Sequence, residues 1–276
     1  MRDVGPDSLT AEHPAWFSTL SRPRQKLVAT LRMWSIFALS LVAILASCSP
    51  GETPRSTASF AWTSATVVQP TDATYPINLI FVAEPDDAIW TDLTGIVLSD
   101  ELSIPPGDFT VIRGDGANGV TLGNVTFTVD IPTAGLSFRT VGLVFTGSST
   151  ITQVPVGSWS LRGAPPGDFA SADAGADVIG MPRCTTAGFP VPDAVASVQR
   201  FDPGSPDVHA DEVALDPRSH SVTAELACEG DFDFRVMSPS IDYTDDSGNA
   251  RTTRLAPVSI GFQDVTDADL QRIASR

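Results

Sequence analysis

The feature that most constrains the fold is a strict alternation of apolar and polar residues in the middle of the chain. Val125, Phe127, Val129 and Ile131 are each separated from the next by a single polar residue. Successive side chains of a β-strand point to opposite faces, so this spacing puts all four apolar side chains on one face. We therefore predict a β-strand with one face in a core and the other face in solvent.

The apolar run that follows changes phase inside a single predicted strand. Leu136 and Phe138 continue the alternation, but the pattern then moves by one residue to Val141 and Leu143. A phase change of one residue is what a β-bulge produces, because two residues then oppose one on the partner strand. We predict a bulge near Arg139–Thr140.

Similar short apolar segments, separated by Pro, Gly, Asn and Asp, fill the chain from Phe60 onward. In residues 231–236, for example, Phe and Val alternate with Asp and Arg. Many short strands with almost no helix are typical of an antiparallel β-sandwich, so the predicted fold class is all-β. An immunoglobulin-like topology is compatible with this pattern, but no Trp lies between Cys184 and Cys228 as true immunoglobulin domains require.

One helix signal lies at the end of the chain. Thr266 and Asp269 have the spacing of a capping box, with Asp in place of the usual Glu. Leu270 and Ile273 follow at helical spacing. The sequence therefore predicts a short C-terminal helix.

The β-rich part has one candidate internal boundary, at residues 163–175, where apolar side chains are scarce. Residues 60–162 and 176–276 would then be two small lobes. The alternative is one large sandwich in which residues 163–175 form a long loop. A short repeat, residues 105–109 and 165–169, both Pro-Pro-Gly-Asp-Phe, indicates either a reused turn or a duplicated lobe.

The first part of the chain has the organisation of an export signal. Four basic residues, at positions 22, 24, 26 and 32, precede an apolar run of about a dozen residues, which is shorter than the roughly 20 that a membrane-spanning helix needs. The run ends in Leu45-Ala46-Ser47-Cys48, with small residues directly before a cysteine. We predict a signal peptide over residues 1–47, and residues 48–59, rich in Ser, Thr and Pro, as a flexible tether.

This Leu-Ala-Ser-Cys ending resembles the lipobox of bacterial lipoproteins. The resemblance covers only residues 22–48. It implies that a diacylglyceryl group is attached to the Cys48 thiol and that cleavage occurs between Ser47 and Cys48. The expected location is the extracytoplasmic face of a cell membrane, with the membrane as a partner through the lipid anchor.

Two cysteines, Cys184 and Cys228, are left in the exported part if Cys48 carries lipid. Disulfides persist in exported proteins, so the simplest prediction is that these two cysteines pair with each other. The alternative, a metal site, lacks a CxxC spacing or further thiols.

The chain is strongly acidic, with a formal net charge of −16, and no lysine follows Cys48. Nucleic-acid binding requires a basic surface, so nucleic acid is excluded as an expected partner. An envelope protein or a glycan remains as a candidate partner, and the negative charge itself favours solubility.

Catalytic motifs are not apparent in the sequence. The chain has no G-x-S-x-G nucleophile elbow and no Walker motif, and the Gly114–Gly119 match to GxGxxG has a β context. His209, with Asp207, Asp211 and Glu212 nearby, has no metal-ligand spacing and reads as a solvated loop. Aspartates at positions 242, 245 and 246 read as a hairpin turn rather than a calcium site. We expect no catalytic residue, metal or cofactor.

The exported part contains three tryptophans, and an exposed one could stack on a sugar ring. Trp62 alternates within an apolar segment and is expected in the core. Trp90 follows Asp86 and Asp87 and is therefore the predicted ligand-binding residue, together with those two carboxylates. The predicted function is a non-catalytic binding or structural module of the cell envelope. The alternative is a secreted, carboxylate-dependent glycan hydrolase or a carbohydrate-binding protein.

Overall fold

Residues 56–71, 73–99, 102–170, 178–263 and 265–276 are described by the computed structural model. They fall in the second of two compact units, Glu52–Arg276. The predicted signal peptide, the lipid-attachment residue Cys48 and the cleavage position at Ser47 lie outside the described residues, as does most of the predicted tether. In the described part, no helix is long and apolar enough to cross a membrane.

The alternating segment forms the centre of a four-stranded antiparallel sheet. In spatial order its strands are β1 Ser59–Phe60, β3 Thr74–Ala83, β7 Val120–Asp130 and β6 Phe109–Ala117. Strands β6 and β7 form a hairpin whose turn places Asn118 and Gly119 at φ of 55° and 85°. Asn-Gly is the preferred pair for such a turn, because both positions require positive φ.

The largest sheet has eight strands and draws them from both ends of the described chain. In spatial order they are β10 Ile179–Met181, β18 Val258–Ile260, β15 Phe234–Met237, β2 Thr63–Pro70, β9 Thr152–Ala164, β8 Leu136–Phe145, β4 Leu93–Ser99 and β5 Leu102–Ile104. This sheet is mixed, because β2 runs parallel to both β9 and β15, and β10 runs parallel to β18.

Two three-stranded antiparallel sheets complete the second half. One contains β11 Thr186–Pro190, β14 Ser221–Cys228 and β13 Val208–Asp216, and the other contains β12 Val195–Asp202, β16 Ser240–Asp245 and β17 Ala250–Arg254. The predicted disulfide is confirmed: Cys184 is bonded to Cys228, with Cα atoms 5.9 Å apart. Residues 208–216 form strand β13, so the interpretation of the stretch around His209 as a loop is wrong.

The sheets enclose two hydrophobic cores. The first lies between the four-stranded and eight-stranded sheets and includes Phe81 and Leu161, and the second includes Phe189 and Ile241. Strand β15 joins the two, because all four of its residues are buried, with Val236 in the first core and Met237 in the second. The all-β sandwich class is confirmed, whereas the division of the chain into domains stays a prediction.

The C-terminal helix α1, Asp267–Ala274, is also confirmed. The Thr266 hydroxyl accepts a hydrogen bond from the Asp269 amide at 3.3 Å, and the Asp269 carboxylate accepts one from the Thr266 amide at 2.9 Å. This is the predicted capping box. Leu270 and Ile273 are buried in a third cluster, which also contains Val82 of the four-stranded sheet.

The two copies of the Pro-Pro-Gly-Asp-Phe segment form related but different turns. In each, the Asp amide donates to the carbonyl three residues earlier, at 3.2 Å for Asp108 and 3.0 Å for Asp168. Gly107 has a φ of 96°, as a type II turn requires, but Pro166–Asp168 forms a 3-10 turn.

Candidate ligand-binding site

The predicted ligand-binding residues lie at a 3-10 turn, Ala88–Trp90, between β3 and β4. The Asp87 carboxylate caps this turn by accepting a hydrogen bond from the Ile89 amide at 2.8 Å. It also accepts three hydrogen bonds, of 2.6 to 2.9 Å, from Ser56 and Thr57 at the start of the described chain. Asp87 is 8% exposed, so this carboxylate is engaged in holding the fold, and the neighbouring Asp86 is exposed.

Trp90 is partly buried, and its indole N–H and its aromatic ring both contact other residues of the protein. Its Nε1 donates to the Glu84 carbonyl at 2.7 Å. Its ring packs against Phe81, with centroids 5.0 Å apart, and the Arg113 guanidinium lies 4.9 Å from the Trp90 ring centroid. Trp90, Asp86 and Asp87 therefore share one turn, and their assignment to a ligand stays a prediction.

The other candidate carboxylates and histidines are dispersed. His209 lies 3.3 Å from the Glu229 carboxylate, and Asp242 accepts a hydrogen bond from the Thr252 hydroxyl at 2.7 Å. Asp245 accepts hydrogen bonds within its own turn. Among the described residues, no three His, Cys, Asp or Glu side chains are grouped as a metal ion would require.

A second tryptophan, Trp62, differs from its predicted position in the core. It lies in the short connection between β1 and β2, is only half-buried, and lines two adjoining surface hollows, each of about 480 Å³. The reason for the difference is that strand β2 begins only at Thr63, so the alternation of that strand does not determine the position of Trp62. Ligand pockets typically have volumes of about 300–1,000 Å³.

The first of these hollows, which we name the bulge-side hollow, opens where the β8–β9 ladder is interrupted. Phe138 pairs with Trp159, but Thr140 pairs with Pro155, so the β9 residues between them leave the ladder. The ladder is interrupted at the predicted position, but the extra residues are on β9 rather than on β8, since residues 156–158 lie opposite Arg139 alone. The residues that line the hollow include Trp62, Arg139, Thr140, Pro155, Ser158 and Phe232.

The path of β9 beside the hollow requires glycine at position 157. It has a φ of 97°, in the left-handed region that side chains disfavour. A Cβ at this position would collide with the backbone nitrogen and oxygen of Thr63 on β2. The excursion of β9 that opens the hollow therefore depends on glycine at this position.

A buried ion pair supports the floor of the bulge-side hollow. The Arg235 Nε donates to the Asp207 carboxylate at 3.2 Å, and the two side chains are only 11% and 13% exposed. Asp207 also accepts hydrogen bonds from the Ser64 and Ser205 hydroxyls, both at 2.7 Å. Because buried charges are costly unless they are paired and hydrogen-bonded, these contacts satisfy the carboxylate.

The remaining donors of Arg235 bind the backbone around the hollow. Arg235 donates to the carbonyls of Phe232, Glu229 and Gly230 at distances of 2.8 to 3.2 Å. Glu229 directly follows Cys228, whose disulfide holds the end of β14. The Arg235 guanidinium thus holds in place the segment that positions Phe232 at the side of the hollow.

The second hollow, the helix-side hollow, is bordered by the C-terminal helix and the two residues that follow it. The Asp233 carboxylate, with a side-chain exposure of 0%, accepts hydrogen bonds from the Trp62 amide at 2.7 Å, the Arg272 Nε at 2.7 Å and an Arg276 nitrogen at 3.3 Å. The Arg276 guanidinium also lies 4.0 Å from the Trp62 ring centroid. Asp233 thereby joins the helix to the backbone beside Trp62.

Carboxylate chemistry of the kind that glycan hydrolases use requires an acid with a raised pKa. Asp245 shows the opposite effect. A hydrogen bond from the Arg251 side chain and another from the Asn249 amide lower the pKa of Asp245 to about 2. Among the described residues that line the bulge-side hollow, Asp207 is the only carboxyl group.

The residues around Trp62 were not identified as a site from the sequence. The sequence presents Asp207 only as a neighbour of His209, and Asp233 and Arg235 only as parts of an alternating segment. The one available signal was the phase change at Arg139–Thr140, because bulges often lie next to functional sites. Comparison with protein-family models gives no match, and comparison with curated proteins gives no match either.

Proposed function

We propose that this protein is a lipid-anchored, extracytoplasmic binding module of the cell envelope. The observation that supports binding is the bulge-side hollow. It combines the aromatic side chains of Trp62 and Phe232 with a small number of polar groups, which is the usual composition of a small-ligand site.

The rigidity of the hollow also supports a binding role. Its floor is held by the hydrogen-bonded Asp207–Arg235 pair, and β9 packs so closely on Thr63 that only glycine fits at position 157. A preformed site loses less conformational entropy when a ligand binds, so more of the interaction energy is available for affinity.

The chemistry of the hollow favours binding over hydrolysis. Paired-carboxylate hydrolysis needs two carboxyl groups about 5–9.5 Å apart on either side of the scissile bond. Asp207 is the single carboxyl group in the described lining, and its oxygens already accept hydrogen bonds from Ser64, Ser205 and Arg235.

The proposed anchor is tested by fractionation of cells that produce Cys48→Ala. We expect the variant to leave the membrane fraction, because two or more acyl chains are needed for firm anchoring and the thiol that receives them is lost. Ser47→Ala is the matched control, since it keeps a small residue before the cysteine and is expected to remain membrane-bound. Retention of Cys48→Ala in the membrane would contradict the lipid anchor.

The proposed binding site is tested by thermal unfolding of the full-length protein in detergent with a panel of envelope glycans and peptides. A ligand present at 100 times its Kd stabilises the protein by about 2.7 kcal/mol, which is measurable. We expect Trp62→Leu to abolish the ligand-induced shift and Trp90→Leu to keep it. The reverse result would assign the site to Trp90, as the sequence predicted.

A further inference from the structure

We propose that the bulge-side hollow recognises a carboxylate-bearing sugar ring, such as a uronic acid residue of an acidic polysaccharide, and that Arg139 binds the carboxylate. This inference rests on the proposed binding function and specifies its ligand.

Arg139 differs from the other arginines near Trp62. Arg235, Arg272 and Arg276 each donate to a buried carboxylate. Arg139 is exposed, lines the hollow, and has neither an ion-pair nor a hydrogen-bond partner among the described residues. In a chain with a net charge of −16, a guanidinium without an acidic partner is available to an external anion.

The local charge of the hollow is positive even though the protein is acidic. Arg139 and Asp207 are the charged residues in the described lining. The Asp207 carboxylate is neutralised from behind by Arg235. Arg139 therefore remains as the uncompensated charge, and a guanidinium can bind a carboxylate through two parallel hydrogen bonds.

The uncharged part of the lining matches a sugar ring. Trp62, Phe232 and Pro155 provide apolar surface for the C–H face of a ring, since an aromatic side chain offers a large flat contact area. The hydroxyl groups of Thr140 and Ser158 have no side-chain hydrogen-bond partner in the described part of the chain. They are therefore free to bind ring hydroxyls.

The position of the hollow within the sheet disfavours an extended peptide. Peptides commonly bind by adding a strand to an exposed sheet edge. The strands beneath the hollow have no such edge, because β2 lies between β15 and β9, and β8 lies between β9 and β4. A compact ligand that enters from above the sheet face avoids this restriction.

The test measures binding of tri-galacturonic acid and of its fully methyl-esterified form to the full-length protein in detergent, by calorimetry. The two probes share the same rings and differ in the carboxylate charge. We expect the acid to bind about tenfold or more tightly than the ester, which is the effect of a hydrogen bond to a charged group. The preference should weaken as salt rises, because Arg139 is exposed.

Arg139→Gln is expected to remove the preference for the acid, and Arg139→Lys to keep part of it, because lysine retains the charge without the planar fork. Arg218→Gln is the matched control, since Arg218 is an exposed arginine that does not line the hollow. It causes the same change in net charge and should keep the preference.

Equal binding of acid and ester by the parent protein, or a preference that survives Arg139→Gln, overturns the inference. Ester binding that is lost in Trp62→Leu leaves the proposed binding function intact and overturns only the ligand class. Arg139-dependent binding of a tripeptide through its C-terminal carboxylate, without binding of the sugar acid, overturns the sugar class in the same way. Failure of all three probes to bind at millimolar concentration also overturns it.

Discussion

The surroundings of Trp90 and Trp62 differ in whether their polar groups have hydrogen-bond partners within the protein. Each ring has an arginine beside it, Arg113 at 4.9 Å from the Trp90 centroid and Arg276 at 4.0 Å from the Trp62 centroid. The Trp90 Nε1 donates to a carbonyl, whereas the Trp62 Nε1 is buried and has no partner among the described residues.

The neighbouring charged groups extend this contrast. Asp87, close to Trp90 in sequence, accepts four hydrogen bonds from the protein itself. Arg139, in the hollow beside Trp62, has no such partner in the described chain. The Asp87 carboxylate therefore holds the fold, whereas the Arg139 guanidinium remains available to a ligand.

The largest loss of stability is expected for Asp207→Ala, which removes the carboxylate beneath the bulge-side hollow. Arg235 would then be a buried cation without its partner, and breaking a buried pair from one side costs about 3–5 kcal/mol. The free energy of unfolding in urea measures this loss. Asp211→Ala, at an exposed position of β13, is the control, with an expected change within about 0.5 kcal/mol. Equal losses in the two variants would show that the ion pair does not support the floor.

The fold was largely predictable from local patterns, but the order of the strands was not. The alternation at Val125–Ile131, the phase change at Arg139–Thr140 and the cap at Thr266 are local signals, and the structure agrees with them. Local periodicity shows which face of a strand is buried, but it contains no information about the partner strand. The parallel pairing of β2 with β15 therefore could not be predicted.

The site was less predictable for the same reason. Asp233 and Arg235 alternate with Phe234 and Val236, a pattern that normally indicates one solvent-facing side. In the structure β15 is covered on both sides, and Asp233 and Arg235, counted as whole residues, are each 9% exposed. Their partners, Arg272 and Asp207, lie far away in sequence, so only the tertiary structure shows that the charges are paired.

An intermediate effect is expected for Asp87→Ala at the Trp90 turn. The variant loses the cap of the 3-10 turn and the three hydrogen bonds from Ser56 and Thr57, for an expected cost of about 2 kcal/mol. Asp86→Ala is the matched control, because Asp86 is exposed and adjacent. If Asp87 instead serves a ligand, its replacement would leave stability close to that of Asp86→Ala and would reduce ligand binding.

The smallest effect is expected at Asp245, a carboxylate whose hydrogen bonds all come from its own turn and from Arg251. The Arg251 side chain and the Asn249 amide lower the pKa of Asp245 from 3.8 to about 2. A carboxyl group with a lowered folded-state pKa stabilises the protein above its unfolded pKa, and this contribution is lost as the pH falls through the folded value. The difference in unfolding midpoint between the parent and Asp245→Asn should therefore be constant above pH about 4 and shrink between about 4 and about 2. Asp246→Asn is the control, because it removes one charge from the same turn. If the difference in unfolding midpoint between the parent and Asp245→Asn stays constant down to pH about 2, the Asp245 carboxylate is not held by its turn.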